Sequence, residues 1–238
     1  DLYNNYNSAK EVYRIADSTL NKEISKICFE GSDEELKKTI NAQSAIVTTS
    51  IAALSAFREV CPEVSPSITL GHSLGEYCAM YASGVMDLKT TIQAIQKRSE
   101  LMDKATKTTK GTMAAILGAS IENIEESIKE ASIKGIVQIA NYNDPTQVVI
   151  TGEIEAVELA SQLIKEKGAR KVVPLSVSGA FHSKLMDSAR DEFVDFSKTL
   201  KLNNANIPVI TNVDGKKTTN KEEFIEKIGI GPSAISNI

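Results

Sequence analysis

Two hydrophobic periods alternate along the chain. Apolar residues recur at helical spacing in long stretches, and short runs of β-branched residues separate these stretches. The longest early helical pattern covers residues 43–60 and ends before Pro62, and further helical patterns cover 74–84 and 87–104. A short strand is predicted at 67–70 and another at 208–213, with a long helix in the stretch between 176 and 201. This alternation predicts an α/β protein.

The middle of the chain contains six predicted elements in a distinctive order. They are a strand (112–118), a helix (121–133), two strands (136–141 and 147–152), a helix (153–168) and a strand (170–175). The order β-α-β-β-α-β is typical of ferredoxin-like folds, and Asn143-Asp144-Pro145 provides suitable turn residues for the central hairpin. We therefore predict a ferredoxin-like subdomain at 111–175, inserted into a larger α/β domain formed by 1–110 and 176–238.

Composition narrows the class of protein. The 238 residues are 42% hydrophobic and 24% charged, which is close to the average of soluble globular proteins. Acidic residues outnumber basic ones by 31 to 27, and no basic stripe is present, so nucleic-acid binding is not expected. Cys28, Cys61 and Cys78 have spacings that fit neither a zinc half-site nor a disulfide framework, which indicates a reducing, cytoplasmic setting.

No membrane segment or signal peptide is predicted. The most apolar helical stretch, 45–57, is interrupted by hydroxyl side chains and is shorter than the roughly 20 residues needed to span a bilayer. The chain opens at Asp1 within an amphipathic helical pattern that lacks the basic and apolar regions of a signal peptide. Because no initiator methionine precedes this helix, we expect the sequence to be a fragment.

The sharpest chemical signal is the pentapeptide Gly71-His72-Ser73-Leu74-Gly75, a G-x-S-x-G motif between a predicted strand and a predicted helix. In this context the serine of the motif is a nucleophile on a strained turn, and the glycines on either side avoid Cβ clashes. The backbone N–H of Leu74 would then point at a developing oxyanion. The alternative is a Gly-rich turn in which Ser73 only caps the following helix.

A serine nucleophile needs a base, and the sequence has only two histidines, His72 and His182. His72 adjoins the nucleophile and is poorly placed to take its proton, so we expect it among the substrate-binding residues. His182, in the segment GAFHS, is the better candidate base. No carboxylate stands out as the group that orients its imidazole, although Asp144 lies in a predicted loop. A backbone carbonyl could serve equally well.

Arg98, on the helix after the motif, has two possible roles. A guanidinium is always charged and binds a carboxylate through two hydrogen bonds, so an arginine inside a cleft would select acyl groups that carry a free carboxylate. Charged residues on amphipathic helices mostly face solvent, however, and the residue pattern alone favours a solvated arginine.

Seven segments of the chain resemble the malonyl-CoA:acyl-carrier-protein transacylases and the related acyltransferase domains of fatty-acid and polyketide synthases. In family order they are NAQSAIVTTSIAAL (41–54), GHSLGEYCA (71–79), QKRSELM (96–102), GTMAAILG (111–118), ANYNDPTQVVITG (140–152), GAFHS (179–183) and PVITNVDG (208–215). The resemblance implies a hydrolase-like parallel-sheet domain with a ferredoxin-like insertion, as the residue patterns also predict.

The resemblance also implies a reaction. In it, Ser73 attacks the thioester of malonyl-CoA with His182 as base, and the phosphopantetheine thiol of acyl carrier protein then takes the malonyl group in a ping-pong reaction. Arg98 matches the family arginine that pairs with the malonyl carboxylate. Phe181 matches the form found in malonyl-selecting members, where a bulky ring crowds an α-methyl group.

Three further residues are carried over from the resemblance. Asn141 and Asn143 match positions that line the cleft between the subdomains, and Gln43 lies in a segment packed near the nucleophile. Two departures from the family pattern accompany them. The strand and Gly-Gln-Gly loop with which the family begins do not precede Asp1. Near its C-terminus the family has a glutamine-containing loop whose backbone carbonyl orients the histidine, followed by a segment that ends in a Gly-Pro-Gly-like turn. Here only GIGPSAI (229–235) resembles that turn, so the partner of His182 stays unassigned.

The leading hypothesis is a monomeric, cytoplasmic malonyltransferase of fatty-acid synthesis that needs no cofactor or metal, with malonyl-CoA and acyl carrier protein as partners. The alternatives are a polyketide-type acyltransferase, a serine esterase or thioesterase, and an inactive module that binds carrier protein. Because carrier proteins are acidic, we expect Lys184 or Arg190 to contribute to a local basic patch.

Overall fold

The computed structural model describes residues 1–237, which divide into two compact units. The first unit comprises Asp1–Glu100, Phe196–Thr211 and Lys216–Lys227. The second comprises Leu101–Asp195, Asn212–Gly215 and residues 228–237. The chain thus passes between the two units several times. The second unit extends beyond the predicted subdomain 111–175 on both sides.

Helices dominate the first unit. They are α1 (Leu2–Asn5), α2 (Asn7–Leu20), α3 (Ile24–Glu30), α4 (Asp33–Lys37), α5 (Thr39–Val60), α6 (Gly75–Ala82) and the first part of α7 (Leu88–Thr108). The buried positions of α2 follow the helical i, i+3, i+4, i+7 pattern from Ala9 to Ala16 and include Leu20, and this stripe packs against α5. Asn21, in the left-handed conformation with φ 49°, ends α2.

Helix α5 is the longest helix of the unit. It begins at Thr39, four residues before the predicted start, and ends at Val60 ahead of Pro62 as predicted. By length and composition alone α5 is long and apolar enough to cross a membrane, which the shorter predicted stretch 45–57 is not. Half of its most apolar window is buried, and α5 packs against α2, α3 and α6. Buried core helices of globular proteins have the same length and composition.

The second unit is built on a four-stranded antiparallel sheet. Its strands are β1 (Gly111–Leu117), β2 (Val137–Asp144), β3 (Gln147–Glu153) and β4 (Lys171–Pro174), in the order β2-β3-β1-β4. Helix α8 (Ile121–Ala131) follows β1, and α9 (Ile154–Glu166) follows β3. The predicted β-α-β-β-α-β order is confirmed. Ser120 caps α8 by accepting a hydrogen bond from the Asn123 N–H.

Side chains along each strand point alternately to the two faces of this sheet, and an apolar cluster lies on each face. Ala114 and Ile116 lie in the apolar cluster that includes Ile124 of α8 and Ile164 of α9. Residues of the opposite face form a second cluster, comprising Met113, Ala115, Ala140 and Val149, with Leu117, Val173, Leu175 and Phe181 packed against it. The second cluster matters for the site, because Phe181 directly precedes the candidate base.

The remaining elements are α10 (Asp187–Ser197), β5 (Val209–Ile210), β6 (Lys217–Thr218) and α11 (Lys221–Ile230). The predicted strands at 67–70 and 208–213 are too long. In the structure Thr69 forms one parallel bridge to Val209, and β5 pairs antiparallel with β6. The chain turns back after β5, where the Thr211 N–H donates to the Lys216 carbonyl. In the described part of the first unit, this bridge is the only parallel strand pairing.

Candidate active site

Ser73 lies on a tight turn between the Thr69 bridge and helix α6. Its φ of 52° places it in the left-handed region, which non-glycine residues rarely adopt. The turn is held by three backbone hydrogen bonds, from Gly75, Glu76 and Tyr77 to the carbonyls three residues earlier. A strained serine at a strand-to-helix turn is the geometry expected of a nucleophile, since the surrounding hydrogen bonds maintain the strain.

The two glycines of the motif have different roles. A Cβ on Gly71 would lie 2.1 Å from the Gly75 carbonyl oxygen and 2.8 Å from the Glu76 nitrogen, so only glycine fits there. A Cβ on Gly75 would meet nothing within 4 Å. The prediction that both glycines avoid a clash is therefore correct for Gly71 and wrong for Gly75, because Gly75 already belongs to the first turn of α6 and faces open space.

The backbone N–H of Leu74 was predicted to be an oxyanion donor, and its surroundings suit that role. Leu74 directly precedes α6, and no hydrogen bond within residues 1–237 uses its N–H. The first N–H groups of a helix lack intrahelical acceptors and carry its positive dipole end. This N–H can therefore donate to an anionic oxygen beside Ser73.

Arg98 lies inside the first unit, with its guanidinium directed at Ser73. The arginine is only 3% exposed, so the solvated position that the helix pattern favours is wrong. Its Nη2 donates to Ser73 Oγ at 3.0 Å, and its Nη1 donates to Gln43 Oε1 at 2.5 Å. The structure thus brings Ser73, Arg98 and Gln43 together, although α5, the motif turn and α7 supply them separately.

The charge of Arg98 is compensated by buried neighbours. Burial lowers the pKa of the guanidinium, while Tyr77 and Glu76 raise it. The Tyr77 ring centre lies 5.9 Å from the guanidinium carbon, within cation–π range, and Glu76 is buried in the first turn of α6. An arginine stays charged even under these conditions, so this is a buried cationic site. Glu76 and Tyr77 were not singled out from the sequence, although both follow the motif directly.

His72 lies beside Ser73, and as a whole residue it is exposed to solvent, although part of its imidazole is packed against protein. Burial lowers its pKa, because the charged imidazolium loses hydration. His72 therefore favours the neutral form and adds no positive charge next to Arg98.

His182, the predicted base, lies in the second unit on the segment before α10. It is 6% exposed and has a positive φ of 56°, so it too occupies a strained backbone position. Its Nδ1 lies 2.9 Å from the carbonyl oxygen of Ala234. A carbonyl only accepts hydrogen bonds, so Nδ1 carries the proton and Nε2 keeps the lone pair that a base requires.

The backbone of His182 is fixed by hydrogen bonds to Pro232 and Gln138. Its N–H donates to the Pro232 carbonyl, and its own carbonyl accepts from Gln138 Nε2 at 3.4 Å. Gln138 Oε1 also accepts from the Lys184 N–H. Pro232 and Ala234 belong to the segment GIGPSAI, so the orienting carbonyl lies in the one C-terminal segment that resembled a family turn.

The other predicted site residues of the second unit surround β2. Asn141 is buried in β2, where it forms a parallel bridge with Ser236, and Asn143 is exposed at the end of that strand. Phe181 is partly buried against the second apolar cluster. The roles of Asn141, Asn143 and Phe181 toward a substrate stay predictions.

Within residues 1–237 no group of three or more His, Cys, Asp or Glu side chains forms a candidate ligand set for a metal. The three cysteines are free thiols, and burial raises the pKa of Cys78 to about 11. The groups that the described residues offer for chemistry are the Ser73 hydroxyl, the His182 imidazole and the buried Arg98 guanidinium.

Comparison with known proteins gives consistent matches. The model of the acyl transferase domain matches residues 1–229. A malonyl CoA-acyl carrier protein transacylase from Bacillus subtilis is 42% identical over 96% of this chain and 72% of the relative. One from Staphylococcus aureus is 35% identical over 93% of this chain and 71% of the relative.

Solved structures agree with these relatives. An acyl carrier protein S-malonyltransferase from Vibrio cholerae superposes with a TM-score of 0.92 at 33% identity, covering 100% of this chain and 77% of its own. A malonyl-transacylase solved in complex with a type II PKS acyl-carrier protein gives a TM-score of 0.93 at 32% identity, covering 100% and 76%.

Proposed function

The chain belongs to the acyl transferase domain family, and from this membership we propose that it moves a malonyl group from malonyl-CoA to acyl carrier protein, as the names of its relatives describe. The observation that carries the proposal is the buried Arg98 guanidinium 3.0 Å from Ser73 Oγ. A fixed cation at this distance from a nucleophile fits an acyl group that has a carboxylate close to its carbonyl carbon. A malonyl group is such an acyl group.

The first half-reaction acylates Ser73. Its Oγ attacks the thioester carbon of malonyl-CoA, and the hydroxyl proton passes to Nε2 of His182. The oxyanion that forms is stabilised by the Leu74 N–H at the start of α6. The carbon–sulfur bond then breaks, and the coenzyme A sulfur leaves with the proton from His182. A malonyl-serine ester remains.

In the second half-reaction the malonyl group passes from Ser73 to acyl carrier protein, and His182 is again the base. The phosphopantetheine thiol of carrier protein gives its proton to His182 and attacks the ester carbon, and Ser73 regains a proton as the malonyl group departs. The Ala234 carbonyl supports both steps, because it holds the Nδ1 proton of His182 and stabilises the imidazolium. His182 is the base in this proposal because His72 lies next to the nucleophile in the chain.

Selection of the acyl group rests on two side chains. Arg98 would bind the malonyl carboxylate through its two Nη groups, helped by Gln43, which already fixes the Nη1 side of the guanidinium. The Phe181 ring would disfavour an α-methyl group, although one methyl contributes only about 1–3 kcal/mol to discrimination. We also propose that Asn141 and Asn143 line the path of the substrate, and that no cofactor is needed.

The alternatives are less well supported. Hydrolysis by a serine esterase does not require a buried arginine beside the nucleophile. Binding without turnover does not require a serine in a strained backbone conformation. A role in fatty-acid synthesis and one in polyketide synthesis use the same chemistry, and of the two we propose fatty-acid synthesis. We propose a monomer located in the cytoplasm. For carrier-protein docking we prefer Lys184, because Arg190 is already paired with Asp187 and Asp191.

A transfer assay tests the function. The protein is mixed with malonyl-CoA and the phosphopantetheine form of acyl carrier protein, and malonyl-carrier protein is measured by mass spectrometry. We expect transfer from malonyl-CoA, little transfer from acetyl-CoA, and none with Ser73→Ala. Hydrolysis of malonyl-CoA without transfer would favour an esterase, and binding of carrier protein without turnover would favour an inactive module.

A further inference from the structure

The hydrogen bond between Arg98 and Ser73 affects the reactivity of the serine when no substrate is bound. Ser73 Oγ accepts from a guanidinium that is fully charged and buried, at 3.0 Å. The same guanidinium is the group that would bind the malonyl carboxylate. The nucleophile and the substrate carboxylate therefore compete for the same donor.

We propose that Arg98 acts as a latch on Ser73, which the carboxylate of the incoming acyl group opens. This inference rests on the proposed function and adds a second level of selection to it. Acyl groups with a carboxylate bind and also release the nucleophile, whereas acyl groups without one leave Ser73 bound to Arg98.

The physical argument concerns the lone pairs of Oγ. A serine hydroxyl has two lone pairs, and one is directed at the Nη2 donor of Arg98. Donation from a cation withdraws electron density from the oxygen and fixes its position, and both effects oppose attack on a carbonyl carbon. In this state Ser73 is a weaker nucleophile than a serine whose oxygen faces only a base.

A carboxylate wins this competition because of its charge and shape. An arginine–carboxylate pair forms two parallel, charge-assisted hydrogen bonds, each stronger than a bond to a neutral hydroxyl. Gln43 holds the Nη1 side of the guanidinium, so the fork is oriented before substrate arrives. Replacement of the Ser73 hydroxyl by the malonyl carboxylate at the Arg98 guanidinium is therefore favourable. An acetyl group has no free carboxylate and cannot make this replacement.

The latch is tested with a neutral serine reagent, phenylmethanesulfonyl fluoride. Ser73 Oγ forms a bond to sulfur, fluoride leaves, and the hydroxyl proton is taken up by the base and then by solvent. The maximal labelling rate and the half-saturating reagent concentration are measured on the full chain by intact mass, with Ser73→Ala as the unlabelled control. Potassium acetate is added as the carboxylate, with potassium chloride at the same ionic strength as its control.

We expect acetate to raise the maximal labelling rate by about tenfold or more, the effect of one hydrogen bond from a charged donor, without lowering the half-saturating reagent concentration. Arg98→Ala should react at the faster rate without acetate and should not respond to acetate. An unchanged or lower rate with acetate would overturn the latch, and this arm decides alone if Arg98→Ala fails to fold.

Failure of the latch and failure of the proposed function give different results. The same preparation is mixed with malonyl-CoA, and the malonyl adduct is measured. A malonyl adduct together with an acetate-independent labelling rate removes only the latch. Absence of a malonyl adduct on a protein whose Ser73 still reacts with the sulfonyl fluoride removes the proposed function.

Discussion

The glycine pair around Ser73 offers a sharp test of the turn geometry. In Gly71→Ala the new methyl carbon would lie 2.1 Å from the Gly75 carbonyl oxygen, 2.2 Å from the Gly75 carbonyl carbon and 2.8 Å from the Glu76 nitrogen. A comfortable carbon–oxygen contact is roughly 3.3–3.6 Å, so the turn and the start of α6 must separate by about 1 Å. All three clashing atoms are backbone atoms, and no side-chain rotation relieves them.

The magnitude follows from this overlap. Overpacking of a well-packed region costs about 1–3 kcal/mol, and for a chain of this size each kcal/mol lowers Tm by roughly 2–4 °C. We therefore expect Gly71→Ala to lower Tm by about 2–12 °C. Its effect on acylation should be larger, because a displacement of about 1 Å at a reacting atom can reduce the rate on the order of 100-fold.

Gly75→Ala is the matched control. It lies in the same turn, four residues later, and its new methyl group meets nothing within 4 Å. We expect its Tm and its labelling rate with a serine reagent to equal those of the parent protein. Thermal unfolding and the labelling rate of Ser73 are measured for both variants. If Gly71→Ala and Gly75→Ala behave alike, the steric account of the turn is refuted.

Three further predictions concern other parts of the molecule. Ser120→Ala removes the cap of α8 and should lower the free energy of unfolding by about 0.5–2 kcal/mol in a urea titration, whereas no change would show that the bond to the Asn123 N–H does not stabilise the helix. Burial lowers the pKa of His72, so the stability it contributes is fully present above its ordinary pKa of 6.5 and is lost as pH falls through its folded pKa; unfolding of the parent and His72→Asn should differ in this pH dependence, and identical profiles would contradict the shift. With a pKa of about 11, the Cys78 thiol is mostly protonated at pH 8, so peptide mapping after iodoacetamide treatment should find Cys78 labelled far more slowly in the folded than in the unfolded protein, and equal rates would disprove its protection.

Local residue patterns predicted the second unit well. The strands β1 and β3 are short, nearly continuous apolar runs, and α8 and α9 repeat their apolar residues at helical spacing, so each element has its own signal in the local sequence. The strands of the first unit were predicted less accurately. The length of a strand depends on the neighbour that runs beside it, and the turn after Ile210 ends β5 at a point that the apolar run 208–213 does not mark.

The site residues also differ in whether the local sequence predicts them. Ser73 was found because a strained turn requires a local residue pattern, whereas the burial of Arg98 depends on Gln43 and Tyr77, which α5 and α6 supply. No pattern within α7 distinguishes a buried arginine from a solvated one. The resemblance to a family supplied that information. The group that orients His182 is the backbone carbonyl of Ala234. Because every residue has such a carbonyl, the residue type at position 234 does not predict this role.

The most direct test of the central claim is intact-mass spectrometry of the protein after mixing with malonyl-CoA. The account predicts one malonyl adduct on the parent protein, no adduct on Ser73→Ala, and much weaker adducts on Arg98→Ala or with acetyl-CoA. A malonyl adduct that persists in Ser73→Ala would contradict the assignment of the nucleophile. An acetyl adduct as strong as the malonyl adduct on the parent protein would contradict the role of the buried arginine.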